Sequence, residues 1–389
     1  MRIVHICLAC FYIEGWGYQE NILPKYHAQE GHDVMILTSD YMFNSHSENA
    51  VKQERDYLNP HGVHVKVLDR ANRYGWYSRY GDYSNICAEL EAFRPEVVFV
   101  HGGQFIALKD VISYCRRHKD VKLYIDQHGD YYNTPVNTFR RKLAAYWIHG
   151  YWIRKASKLA QKLWGVTPWR CQYLHEVYGV PENKIGLLVM GGDDALIPFS
   201  QAKEIRSRIR QDLGIGEDDF VVVTGGKIDR AKNIHLLTQA VRELNRENLH
   251  LIVFGQPAAD MEKAMEEMAA DPRCHCVGWV DSTKVYNYFL VSDLAAFPGT
   301  HSVLWEQACA CGIPVLFKEW DGMRHVCVNG NGKLLSLDSV EEMKAHIAYL
   351  LDDPSAYHEM SEAAEQCKEM FFYSQIAKRA IGENYETDE

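Results

Sequence analysis

Phe220-Val-Val-Val-Thr-Gly-Gly-Lys-Ile-Asp-Arg-Ala-Lys232 and Phe297-Pro-Gly-Thr-His-Ser-Val-Leu-Trp-Glu-Gln-Ala-Cys-Ala-Cys-Gly-Ile-Pro-Val315 decide the reading of this chain. The first is an apolar strand that runs into two glycines and three cations. The second is a turn, a short helix carrying Glu306, a Gly-Ile-Pro break and another strand. A diphosphate needs cations and unpaired backbone N–H donors, and a helix N-terminus behind a glycine turn supplies the donors. A ribose needs an acceptor for its hydroxyls, and Glu306 sits one turn into that helix.

Outward from these segments, strand-like apolar runs alternate with helix-length amphipathic stretches. They fall at 2–9, 33–38, 63–68, 96–101, 121–126, 162–166 and 185–190, then at 219–224, 249–254, 274–277, 293–297 and 313–317. Buried runs of this length separated by helices predict parallel sheets covered on both faces. With 389 residues, one ordinary core is too small. A break near 190–198 divides the series, which predicts two Rossmann-like domains facing each other across a cleft. The expected division is 1–192, 199–367 and a terminal helix, 368–389, packing back toward the first domain. Ligands in such sheets bind at the carboxyl ends of the strands, where strand order reverses.

Composition narrows the class. The chain is 47% apolar and 24% charged, as a folded protein is. Its net charge of −10 argues against general nucleic-acid binding. The first ten residues are too short an apolar run for a signal peptide, and no later run of about 18 apolar residues appears, so a cytoplasmic protein is expected. The 11 cysteines, an odd number scattered through strands and helices, read as reduced thiols rather than a disulfide framework. Cys7-Leu-Ala-Cys10 stands alone without a second pair at zinc spacing. No Asp-x-Asp occurs, which argues against a metal-bridged diphosphate; no metal or cofactor is expected.

The 219–318 pattern resembles the nucleotide-sugar domain of the retaining GT-B glycosyltransferases, in particular glycosyltransferase family 4. In the first half, Glu14-Gly-Trp-Gly-Tyr-Gln-Glu20, a helix and Glu30-Gly-His-Asp-Val-Met-Ile-Leu-Thr38 are similar to that family's first loop, helix and second strand. Pro95-Glu-Val-Val-Phe-Val-His101 and Leu123-Tyr-Ile-Asp-Gln-His128 are similar to its strands that end in histidine at the cleft. The resemblance implies an arginine and a lysine, five residues apart, on the donor diphosphate; here Lys227 and Lys232 hold those places. Lysine is a point charge without arginine's bidentate fork. Cations there stabilise charge on the departing diphosphate, where transition-state stabilisation counts. The resemblance also gives Glu306 the ribose hydroxyls. An earlier glutamate, eight residues upstream in the family, is Pro298 here, so Gly299, Thr300, His301, Ser302 and Val303 form a compact replacement loop. Its amides would hold diphosphate; Ser302 is equally placed to cap the helix. By the same resemblance His128 orients the donor sugar or reacting groups, Gly17 and Gly226 allow close approach of backbone, and Gly278, Trp279 and Val280 present backbone to the base.

Residues 131–175 contain no Asp or Glu, yet carry Arg140, Arg141, Lys142, Arg154 and Lys155 among Tyr146, Trp147, Tyr151 and Trp152. Cations beside indole rings suit an anionic headgroup layer or a lipid-linked acceptor; two ordinary helices with inward aromatics are the alternative. The expectation is a retaining glycosyltransferase taking a nucleotide diphosphate sugar donor and a glycan or lipid-linked acceptor, cytoplasmic or at the inner face of the plasma membrane, with peripheral contact to anionic lipid and no nucleic acid partner. A nucleotide-sugar epimerase of the same architecture and a non-catalytic scaffold are the alternatives.

Overall fold

The computed structural model describes residues 1–389 except 11, 40, 44–48, 52–53, 72–80, 133–137, 140–142, 144, 321 and 384–389. The chain forms two units, Met1–Val189 with Ile376–Glu389, and Met190–Gln375. Each is built on one sheet flanked by helices.

In the first unit the strands lie in the order Ile185–Leu187, Lys162–Gly165, Lys122–Gln127, Val97–His101, Arg2–Cys7, Asp33–Ser39, His64–Leu68 and Asp56–Leu58. Every pairing is parallel except the last, where Asp56–Leu58 runs antiparallel at the edge. The central strands are apolar on both faces because helices cover both, and Ile3, Val4, Ile6, Val98, Val100, Leu123 and Ile125 are buried. In the second unit the order is Cys274–Gly278, Leu249–Phe254, Phe220–Gly225, Leu294–Phe297, Val315–Lys318 and Gly332–Leu335, parallel throughout. The expected α/β fold of two parallel-sheet domains is the one observed.

Three pairings gave no signal in the sequence. Asp56–Leu58, the hairpin Tyr41–Phe43 with Asn49–Val51, and Gly332–Leu335 are three or four residues long. They carry no sustained apolar run, because they lie at sheet edges or outside the main sheets.

The terminal helix, Tyr373–Ala380, places Ile376, Ala377, Ala380 and Ile381 in the interior. The last carbonyls of a helix lack partners within it. Here the ring N–H of His27 donates to the Ala377 carbonyl (2.8 Å), and the indole N–H of Trp164 donates to that of Ala380 (3.0 Å). Among the described residues no helix is long and apolar enough to cross a membrane, and all 11 cysteines are free.

Candidate active site

Strand order in the second unit reverses between the neighbours Phe220–Gly225 and Leu294–Phe297, the position at which parallel sheets hold ligands. Both loops quoted at the outset leave from there. The first turns at Gly226, whose φ is +108°. A Cβ on the facing Gly255 would lie 1.8 Å from the Gly226 carbonyl oxygen, so the two backbones touch. Gly299 is constrained just as tightly: a Cβ there would lie 2.2 Å from the Ala231 oxygen and 2.4 Å from the Lys232 Cα. The loop 298–301 is thus packed directly onto the turn 230–232.

Polar bonds fix that contact. The Thr300 amide donates to the Ala231 carbonyl (2.9 Å), and Lys232 Nζ donates to the carbonyls of Thr300 (2.6 Å) and His301 (3.3 Å). Asn233 Nδ2 donates to the Pro298 carbonyl (3.1 Å) and Trp320 Nε1 to that of Gly299 (3.3 Å). Four successive carbonyls of the loop are therefore spent on the protein. A cavity of about 10 Å³, room for one water, lies among Thr224, Lys232, Phe297, Thr300 and Ser302. Burial pushes the Lys232 ammonium below the ordinary lysine value, with Asp229 opposing. Lys227 differs: its side chain is 74% exposed, with Asp229 at 3.8 Å.

Glu306 is completely buried in the helix Leu304–Ala310. His301 Nε2 lies 2.9 and 3.1 Å from its two oxygens, and His325 Nε2 lies 3.2 Å from Oε1. Burial alone would raise this carboxyl, but the two histidines outweigh it and hold it well below the usual carboxylate range. Ser302 makes no side-chain cap, since the N-cap residue is Val303. Gly278, with φ +75°, ends the strand Cys274–Gly278, two strands from the Gly226 turn; Val280 is half-buried and Trp279 is 65% exposed.

The first unit has its own reversal, between Arg2–Cys7 and Val97–His101. His128 stands near it, with Cys10 and Glu20 within 4.8 Å and Asp126 Oδ2 at 3.3 Å from Nε2. Burial would lower the His128 ring, yet the Asp126 carboxylate outweighs it, so its pKa lies above the ordinary histidine value. Asp126 also accepts the Gly102 amide (2.9 Å). Behind His128, Arg170 pairs with Asp130 (3.2 Å). His101 departs from the expectation of a cleft-facing strand end: it is fully buried and turned inward, 2.8 Å from Asp126 and 3.0 Å from His5. Gly17 lies in the loop after the strand Arg2–Cys7, and a Cβ there would meet open space.

The basic aromatic segment divides. Trp147 is 62% exposed, whereas Trp152 packs against the core. Arg154 donates to the Tyr178 and Tyr146 carbonyls and stacks 3.8 Å over the Tyr146 ring. Lys155 lies over Tyr151 and Trp152. Arg140, Arg141 and Lys142 fall outside the described residues.

His325, Trp320 and Asn233 were not singled out from the sequence. Trp320 and His325 reach the site from the connection between the strands Val315–Lys318 and Gly332–Leu335, Asn233 from the turn after Lys232, and nothing in their local spacing marks them. His301, Glu306 and His325 bring their ligand atoms within 4.8 Å of one another.

The family model "Glycosyl transferases group 1" matches residues 205–367, and that of "Glycosyltransferase Family 4" matches 23–193. A lipopolysaccharide 1,2-N-acetylglucosaminetransferase of Salmonella typhimurium is 27% identical over 140 residues, 32% of this chain and 37% of that protein. The chain spans about 37–55% of the length of the curated relatives it matches. Among solved structures, a glycosyltransferase from Rickettsia africae superposes with TM-score 0.70 at 14% identity, covering 97% of this chain and 96% of that one. Anabaena HepE in complex with UDP gives 0.68 at 16%, covering 97% and 98%. Identities this low speak for the fold.

Proposed function

The chain belongs to the group 1, family 4 glycosyltransferases and has their GT-B fold, and from this premise we propose that it moves a sugar, with retention, from a nucleotide diphosphate sugar to a hydroxyl of a glycan or lipid-linked acceptor. The observation that carries the reading is the contact of the 298–301 loop with the 230–232 turn, which sets Lys232 against the carbonyls of Thr300 and His301 at the switch point, one helix start away from Glu306. Lys232 would stabilise charge growing on the departing diphosphate, with Lys227 as an outer cation and the amides of Gly299, His301, Ser302 and Val303 as donors; the Thr300 amide, expected among them, is spent on the Ala231 carbonyl. Glu306 would accept the ribose hydroxyls. A carboxylate has about four acceptor positions, of which the histidines take only part. Since Glu306 is buried beneath the His301 ring, ribose binding requires that ring to turn aside.

No metal enters this reading: lysine and backbone donors would do the work of charge neutralisation. The acceptor would approach the first unit, where His128 stands, and the exposed Trp147 with its neighbouring cations would touch an anionic membrane at the cytoplasmic face.

HepE was solved with UDP, which makes UDP the first nucleotide to try. Calorimetric titration with UDP, GDP, ADP and CMP, with and without EDTA, tests the donor site. EDTA-insensitive binding of one diphosphate is expected, weakened about 10–100-fold in Glu306→Ala, the worth of hydrogen bonds to a charged group. Absence of binding by every nucleotide would overturn the reading in favour of a scaffold. Isomerisation of the donor without release of nucleoside diphosphate would favour an epimerase.

A further inference from the structure

A string of buried rings leads from Asp126 to the terminal helix. His101 Nδ1 lies 2.8 Å from Asp126 Oδ2, and His101 Nε2 lies 3.0 Å from His5 Nδ1. His5 Nε2 lies 3.0 Å from His27 Nδ1, and His27 Nε2 lies 2.8 Å from the Ala377 carbonyl oxygen. All four side chains are fully buried. The His5 ring lies edge to edge with those of His27 and His101, inclined by 27° and 22°, with Phe99 against two of the three.

The ends of the string fix its proton count. Each of the four links needs one hydrogen. The Ala377 carbonyl only accepts, and so does an ionised carboxylate. All four hydrogens must then come from three imidazoles, which carry only three when neutral. The string therefore holds one extra proton, and Asp126 balances it. His101 is the ring of the string in contact with the carboxylate. Burial pushes His27 down to about 4 and His5 well below the ordinary value, so neither holds the charge. With the extra proton on His101, every later link has a direction: His101 donates through Nε2 to His5, His5 through Nε2 to His27, and His27 through Nε2 to Ala377.

We propose that His5, His27 and His101 form a proton-holding string that keeps one extra proton on His101 against Asp126, and so limits how far the same carboxylate can favour a proton on His128. His5 and His27 are then positioning residues: they touch no reacting atom, but they set the protonation of one that would. The catalytic use of His128 rests on the function proposed above; the proton count does not. The other ionisable groups facing His128 are Glu20, Cys10 and Arg170, and His32 lies beside His27.

Long-range ¹H–¹⁵N spectra of the full chain, labelled at histidine and free of ligand at pH 8, test the string. His101 is expected to show both nitrogens protonated, and His5 and His27 the neutral Nε2–H form. A neutral His101, or Nδ1–H forms at His5 and His27, would overturn the proposal. The His128 titration then tests positioning. His27→Leu removes the acceptor for His5; the string loses its extra proton, His101 stays on Asp126 only as a neutral donor, and the His128 midpoint should rise by about one pH unit or more. His27→Gln, whose amide both accepts and donates, should leave the midpoint within a few tenths of the parent. A His128 midpoint unmoved in His27→Leu would sink the positioning role. If the spectra bear out the string while His128→Ala retains full transfer activity, it is the functional reading of His128 that fails.

Discussion

Lys232 carries the sharpest expectation about a single side chain. Its ammonium is half-buried and tied to two loop carbonyls, so it shapes the loop, and in the proposed function it would also present charge to the donor diphosphate. We predict that Lys232→Ala lowers the rate of nucleoside diphosphate release at least about a hundredfold, with an unchanged far-ultraviolet circular dichroism spectrum. A variant of parental activity would remove Lys232 from the mechanism. Lys227 should matter far less, because its side chain is largely in water. Spacing alone made the two lysines look equivalent. Burial separates them, and burial is set by the chain segments that close over a residue rather than by its neighbours in sequence.

The loop 298–303 works as an element because of what it lacks. With no side chain, Gly299 lets the loop rest on the Ala231 carbonyl, and Thr300 and Lys232 lock it there. Gly299→Ala should lower the stability of the second unit by about 1–3 kcal/mol, the range for overpacking a tight contact, and weaken nucleotide binding with it. Equal melting temperatures and equal affinities would show that the turn yields without cost. The strands and the two glycine turns were legible in the sequence, since apolar runs and the Gly-Gly and Pro-Gly pairs that end them are local signals. The edge strands were not, because three or four residues at the margin of a sheet need no apolar run. His325 was equally hidden, 19 residues from the carboxylate it contacts.

Across the whole molecule, His5, His27 and two buried carboxylates make stability fall as the solution becomes acid, while His128, raised by Asp126, acts the other way above its ordinary value. A ring whose pKa is lower when folded takes up its proton only on unfolding, so protons favour the unfolded chain. His27, at about 4 against an ordinary value near 6.5, and His5, displaced the same way, should cost the first unit stability as pH falls from about 6.5 toward 4. Asp126 and Glu306, held below the carboxylate range, contribute stability above their ordinary values and lose it below about pH 4. Melting temperatures should fall as pH is lowered from about 6.5 to 4. In His27→Gln the slope between pH 6.5 and 4 should be shallower, and an identical slope would show that His27 does not carry it.

The sequence by itself determined the alternation of strand and helix, the two-domain α/β fold, and the pairing of a cation-bearing glycine turn with the helix of Glu306. These are properties of apolar periodicity and short spacing, which act within one element or between adjacent ones. Only the tertiary structure decided that His101 faces inward, that two histidines clamp Glu306, and that the terminal helix ends on His27 and Trp164. Each of those contacts joins groups brought together by sheet order or by the return of the chain. A buried polar group must find a partner wherever the fold puts one; that partner has no signature in the residues beside it.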